Sequence, residues 1–280
     1  MNDIYFGLAI MTGISTFLFF VALKLCKSIP QPLADVVSIS TVLATIFYAF
    51  RVWDQIFLAR LLPFSNLIVL GNWFPLAAGF LAGSAWNRVP GGVWRKGFSV
   101  LALALVAGYA AMQPLLGDPP TCNNRWNGKV CLQTTEMTCS PASAATLLRE
   151  FGIDVTEQQM ADLCFTRRGT TWQGLYHGLA VMVADRPLQV EVRQVSLDEL
   201  RALPGPLLLS VVLKYQDSIN HPKYEARLGW TADVPHTVVY YGHQKDGSVL
   251  IADPSFGFER WTDDDLEILW HGRIMSLVPR

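Results

Sequence analysis

Charge is scarce in this sequence, and each kind of scarcity removes a class of function. Charged residues make up only 16% of the 280 residues and the formal net charge is −1. There is no basic excess to neutralise a phosphate backbone, so nucleic acid is excluded as a partner. Histidine and cysteine number five each. No pair of His, Cys or carboxylate residues stands at metal-ligand spacing, so no metal site and no cofactor is expected. No internal repeat or low-complexity tract is present, and no glycine-rich Walker A lysine motif, so these residues hold no ATPase domain. The Met-Asn-Asp start lacks a basic flank and no small-x-small site follows the first apolar run, so that run is not read as a signal peptide.

The scarcity of charge is also uneven. Residues 1–117 carry seven Lys/Arg and three Asp/Glu, against 15 and 20 in the remainder. Two uncharged stretches, Ile4–Leu23 and Gly97–Gly117, reach the roughly 20 residues a bilayer requires. A third, Leu61–Asn87, contains Pro63 and Pro75, and its spanning core reads as Asn66–Trp86. The fourth, Val36–Phe50, is bounded by Asp35 and Arg51 and spans only if it starts near Leu33 or tilts little. An all-α transmembrane domain of about four helices, residues 1–117, is expected, with membrane lipid around it. Lys24, Lys27, Arg88, Arg95 and Lys96 flank the first and third connections, and only Arg51 and Arg60 the second. The positive-inside bias then places the N-terminus and everything after the fourth helix outside the cytoplasm.

Residues 118–130 read as a juxtamembrane linker opened by Asp118-Pro-Pro-Thr. Cys122 and Cys131 bracket the polar loop NNRWNGKV, a spacing that closes a small disulfide ring in an oxidising compartment; the alternative is two unpaired thiols. Six positions after Gln133 comes Cys139, where a helix is predicted to begin: Ser140 and Pro141 suit a cap and first turn, and Gly152 suits the stop. A thiol there meets free backbone N–H groups and the positive helix end, which favour the thiolate. An upstream glutamine amide suits an oxyanion donor. The bland alternative is a small buried hydrophobe, the reading given to Cys26 and Cys164.

A second helix is predicted from the Thr156–Gln159 capping box to about Cys164, and a third over Trp172–Ala184. The period then changes: Gln189–Gln194, Leu207–Lys214, Thr237–Tyr241 and Ser248–Ala252 read as strands, with a short helix at Leu197–Ala202. Helices followed by an antiparallel sheet make an α+β domain. His236 opens one strand and Asp253 closes the next, which suits a general base and the acceptor that orients it. A strict two-residue turn at Asp246-Gly247 sets Asp253 opposite Tyr240, so pairing with His236 requires a wider turn or a bulge. His177, His221, His243 and His271 are less suited as bases.

Taken together, Gln133, Cys139 at a helix start, His236 at a strand start and Asp253 in an Asp-Pro resemble the C39 peptidase family of papain-like cysteine peptidases. These are best known as leader-cleaving domains of bacteriocin-exporting ABC transporters. The resemblance covers about residues 131–280 and includes Gly169-Thr-Thr-Trp-Gln-Gly174, Leu197–Leu200 with Pro204, and the Trp261…Trp270 tail. It implies Cys139 as nucleophile, His236 as base and acid, Asp253 as orienter and Gln133 as oxyanion donor. It also implies a peptide or protein substrate, such as a leader peptide cut after a small-residue pair, and an export system as partner. The location implied is the bacterial inner membrane, with the peptidase domain periplasmic. An acyl or peptidyl transferase, or a non-catalytic peptide-binding module, are the alternatives. Two departures stand out. Ser140 occupies a position where the family has glycine, and is expected to narrow the substrate groove. Lys214–Val234 is a polar insertion, read either as a lid or specificity loop or as a solvated loop.

Overall fold

The computed structural model describes residues 2–280. The chain divides into two compact units between Leu116 and Gly117. The first is all helical: α1 (Asn2–Ser28), α2 (Gln31–Arg51), α3 (Phe57–Leu61), α4 (Leu67–Leu70), α5 (Phe74–Arg88) and α6 (Val93–Met112). Four helical segments are long and apolar enough to cross a membrane: Asp3–Ser28, Gln31–Arg51, Leu67–Arg88 and Val93–Leu115. The weakest candidate gains its length at the start, since Pro32 lies in the first turn, where a missing N–H costs nothing. The third segment is interrupted at Gly71–Trp73, and Pro75 stands in the first turn of α5.

Helix α5 is central, packing against α1, α2 and α6. It runs parallel to α1: a Cβ on Gly79 would strike the Ser15 carbonyl and one on Gly83 the Phe19 carbonyl. Further along, Asn87 Nδ2 donates to Leu23 O at 2.6 Å. Gly79 and Gly83 form the small-xxx-small spacing that lets two helix backbones touch in an apolar medium. Phe17, Phe20, Leu43, Phe47, Phe98 and Leu105 point outward and are exposed. In water such a surface drives association; in a bilayer the hydrocarbon covers it.

The second unit opens with a hairpin that begins inside the expected linker, β1 (Arg125–Asn127) and β2 (Val130–Leu132), turned at Gly128 with φ +60°. The expected disulfide is not formed: Cys122 and Cys131 are both free thiols. The two thiols are neighbours that share an environment with Glu157. Cys131 is fully buried, and the Cys122 thiol donates to Pro120 O at 3.4 Å. Three helices follow: α7 (Cys139–Glu150), α8 (Glu157–Leu163) and α9 (Trp172–Met182). Gly152 terminates α7 at φ +70°, a conformation a side chain disfavours. The Thr156–Gln159 capping box is formed on both sides.

The rest is a six-stranded antiparallel sheet with β3 (Leu188–Gln194), β4 (Leu207–Val211), β5 (His236–His243), β6 (Val249–Asp253), β7 (Gly257–Trp261) and β8 (Trp270–Pro279). The strand order is β3-β8-β4-β5-β6-β7. Helices α10 (Leu197–Ala202), α11 (Tyr215–Asn220), α12 (Lys223–Ala226) and α13 (Asp263–Leu269) lie in the connections. On one face Leu207, Leu209, Val211, Val238, Tyr240, Val249 and Ile251 build a core with Trp261, Leu266, Leu269 and Trp270. Leu208, Val239 and Ala252 are buried too. With both faces covered, the middle strands read as continuous apolar runs rather than alternating ones. Helix α7 packs on β5.

Candidate active site

The site forms where the start of α7 meets the start of β5. Cys139 occupies the first position of α7 and is buried, among the unpaired N–H groups of the first turn. Thr138, just before it, does not cap the helix. Its hydroxyl accepts from the N–H groups of Thr134 (3.1 Å) and Thr135 (3.0 Å), closing the loop that leads from Gln133 to the thiol.

His236 Nε2 stands 3.0 Å from Asp253 Oδ1, leaving the other ring nitrogen for Cys139. The hairpin register solves the geometric problem posed by the sequence. Val239 pairs with Ala252 and Tyr240 with Ile251, and a bulge absorbs the mismatch before His243 pairs with Val249. One step further, Asp253 lies across from Val238, a diagonal neighbour of His236 on the same sheet face. Asp253 is buried, and its Oδ1 also accepts from the Ser255 N–H at 2.7 Å.

The electrostatics favour a thiolate–imidazolium pair. Burial opposes ionisation of Cys139, but hydrogen bonding and charge from His236, with the Thr237 N–H and the Ser140 hydroxyl, hold the thiol below its ordinary value. Burial opposes a charged His236 too, yet hydrogen bonds and charge from Asp253 and Cys139 push the imidazole up to about 10. Asp253 is drawn below the usual carboxylate range despite burial, by His236 and by Ser255. The contrast within the unit is informative: burial pushes Cys122 and Cys131 up to about 12 and also raises Cys164. A low thiol value therefore belongs to Cys139 and not to buried thiols in general.

Gln133 lies on the loop before α7, and its N–H donates to Pro254 O at 2.8 Å, tying that loop to the Asp253 turn. Its side-chain Oε1 is buried without a hydrogen-bond partner. Ser140 departs from the expectation that it would narrow the substrate groove. At the second position of α7 its side chain is buried and its Oγ pairs with Thr237 Oγ1 at 2.8 Å, next to the Cys139 thiol. Ser143 continues the seam, donating to Thr237 O at 2.8 Å.

The Lys214–Val234 insertion is folded. Tyr224 is fully buried and its hydroxyl donates to Asp265 at 2.5 Å. Trp230 packs edge-to-face on His236, with ring centroids 5.8 Å apart, and on Trp261 at 6.0 Å. Nothing in the sequence assigned Trp230 to the histidine; the only signal was an aromatic in a polar stretch just before it. His177 is elsewhere, its Nδ1 2.7 Å from Leu163 O, and His243 pairs with Asp263 at 2.7 Å.

An uncharacterized protein of Methanothermobacter thermautotrophicus is 33% identical over 129 residues, which is 46% of this chain and 72% of that protein. The chain is similar to the peptidase domain of Streptococcus ComA, a bi-functional ABC transporter involved in a quorum sensing pathway. The TM-score is 0.43 at 19% identity, over 55% of this chain and 100% of that one. It is also similar to a double glycine motif protease from an AMS/PCAT transporter, solved with its leader peptide. There the TM-score is 0.42 at 17% identity, over 59% of this chain and 100% of that one. The peptidase C39 family model matches residues 127–280, more than half of the sequence, and the chain belongs to the peptidase C39 family.

Proposed function

We propose that the protein is a membrane-anchored cysteine endopeptidase acting on peptides that reach the outer membrane face. The observation that carries this reading is His236, hydrogen-bonded to Asp253 at 3.0 Å and paired in charge with Cys139. The Cys139 thiolate adds to a peptide carbonyl, and Gln133 donates to the oxyanion. Collapse breaks the C–N bond, with the His236 proton passing to the leaving amine. Water, deprotonated by His236, then cleaves the thioester to release a carboxylate and the free thiol. Exposed apolar side chains near the site in sequence, Met137, Val234 and Phe256, favour a peptide substrate with apolar side chains. The buried placement of Ser140 favours a groove left open at this position, so small-residue cleavage sites such as those of leader peptides remain compatible.

The four apolar helices anchor the domain, and the charge bias of their connections supports an extracytoplasmic peptidase unit. Mass spectrometry of envelope and secreted peptides from cells carrying wild type or Cys139→Ala tests the reading. Peptide termini present only with the wild type are expected; identical termini in both would sink it.

A further inference from the structure

Glu157 is a fully buried carboxyl group outside the Cys–His–Asp constellation. It stands in the first turn of α8, where a carboxylate suits the positive helix end. Both of its oxygens face the loop that carries Gln133. Thr134 N–H donates to Oε1 at 2.7 Å, and the Thr134 hydroxyl donates to Oε2 at 2.6 Å. The Glu157 N–H donates to Asn124 Oδ1 at 3.0 Å, and Asn123 N–H donates to Thr134 Oγ1 at 2.8 Å. A carboxyl group is costly to bury unless its acceptors are used; here each oxygen takes a bond from Thr134, and the carboxylate also meets the Cys122 thiol.

Thr134 is the immediate neighbour of Gln133. The Gln133 N–H is fixed to Pro254 O at 2.8 Å, beside Asp253. The Gln133 backbone is thus held by the Asp253 turn through its own N–H and by α8 through the next residue, whose N–H Glu157 shares with the Thr138 hydroxyl. We propose that Glu157 is a positioning residue that fixes Gln133 as oxyanion donor. This rests on the peptidase reading above. Glu157 touches neither the thiol nor the substrate, so its effect reaches the chemistry through Gln133. An oxyanion donor displaced by a fraction of an ångström loses much of its value, since it works by being preorganised.

The test separates oxyanion binding from thiol reactivity in the full-length protein in detergent. Iodoacetamide alkylates Cys139 by displacement of iodide and forms no oxyanion. A small peptide aldehyde, acetyl-Gly-glycinal, forms a hemithioacetal: the C–S bond forms as the carbonyl π bond opens, and the oxygen takes the His236 proton. In Glu157→Gln the aldehyde is expected to bind about 10- to 100-fold more weakly, with the alkylation rate unchanged within about twofold. Gln133→Ala weakens aldehyde binding as well, and adding Glu157→Gln to it is expected to cost nothing more, because the pair acts as one unit. Thr134→Val, which removes only the hydroxyl arm, serves as the milder second variant and shows the same pattern to a smaller degree. Equal aldehyde affinity in wild type and Glu157→Gln would overturn the proposal. So would a parallel loss of alkylation, or full additivity with Gln133→Ala. A wild type in which neither reagent favours Cys139 over the other cysteines is a different result, and refutes the peptidase reading itself.

Discussion

Replacing Asp253 by Asn removes a charge without changing shape, and the structure fixes which limb of a pH profile must move. Asp253 raises His236 through a 3.0 Å hydrogen bond in a buried setting, against the opposing effect of burial. A hydrogen bond to a charged group contributes about 1.5–3 kcal/mol, which at about 1.4 kcal/mol per pKa unit corresponds to roughly one to two units. With wild-type His236 near 10, the imidazolium of Asp253→Asn should lose its proton at about 8–9. The sign follows because the carboxylate stabilises only the protonated ring. Alkylation of Cys139 by iodoacetamide, measured by peptide mass spectrometry across pH, reads both events. A lower inflection marks thiolate formation, and an upper one marks loss of the neighbouring imidazolium proton, which frees a more reactive thiolate. The upper inflection should fall by one to two units, approximately, while the lower stays in place. An unmoved upper inflection in a folded variant would refute the assignment of Asp253 as the group that raises His236.

Other expectations follow from single contacts. Trp230→Ala removes two edge-to-face aromatic pairs, each contributing about 0.5–1.5 kcal/mol, so denaturant unfolding should show a loss of about 1–3 kcal/mol. No change would mean that the insertion does not pack on the site. Ser140→Gly deletes a hydroxyl that contacts Thr237 next to the thiol, so the lower inflection should rise slightly without new substrate preference; a changed cleavage preference would contradict the buried placement of Ser140. Gly83→Leu places a side chain against the Phe19 carbonyl, and helix association in detergent should weaken, read as a lower unfolding temperature. A reporter active only in the cytoplasm, fused after Arg280, should be silent; activity would reverse the proposed orientation.

How much was legible in the sequence depended on whether a residue's role is local. Cys139 at a helix start, the Thr156–Gln159 capping box and the stop at Gly152 are set by neighbours within one turn, and the structure forms all three. His236 and Asp253 were legible as strand ends, but their meeting required a bulge whose position only the register shows. Longer-range roles were hidden. Ser140 reads as a groove residue until β5 is placed beside α7 and Thr237 takes its hydroxyl. The role of Glu157 depends on Thr134, more than 20 positions earlier, being folded onto it. The Trp261…Trp270 tail joins the end of β7 to the sheet-interior strand β8 through α13, which Thr262 caps at its start. The Cys122–Cys131 spacing suggested a ring, and the fold does bring the two thiols near each other, but both are free.

The most direct test of the peptidase claim is cleavage in water enriched in oxygen-18. Purified full-length protein in detergent is mixed with an envelope peptide extract, and the new C-termini are weighed by mass spectrometry. Hydrolysis of a Cys139 thioester predicts new carboxyl termini carrying the heavy oxygen, absent with Cys139→Ala. No new termini, or the same termini with Cys139→Ala, would contradict it.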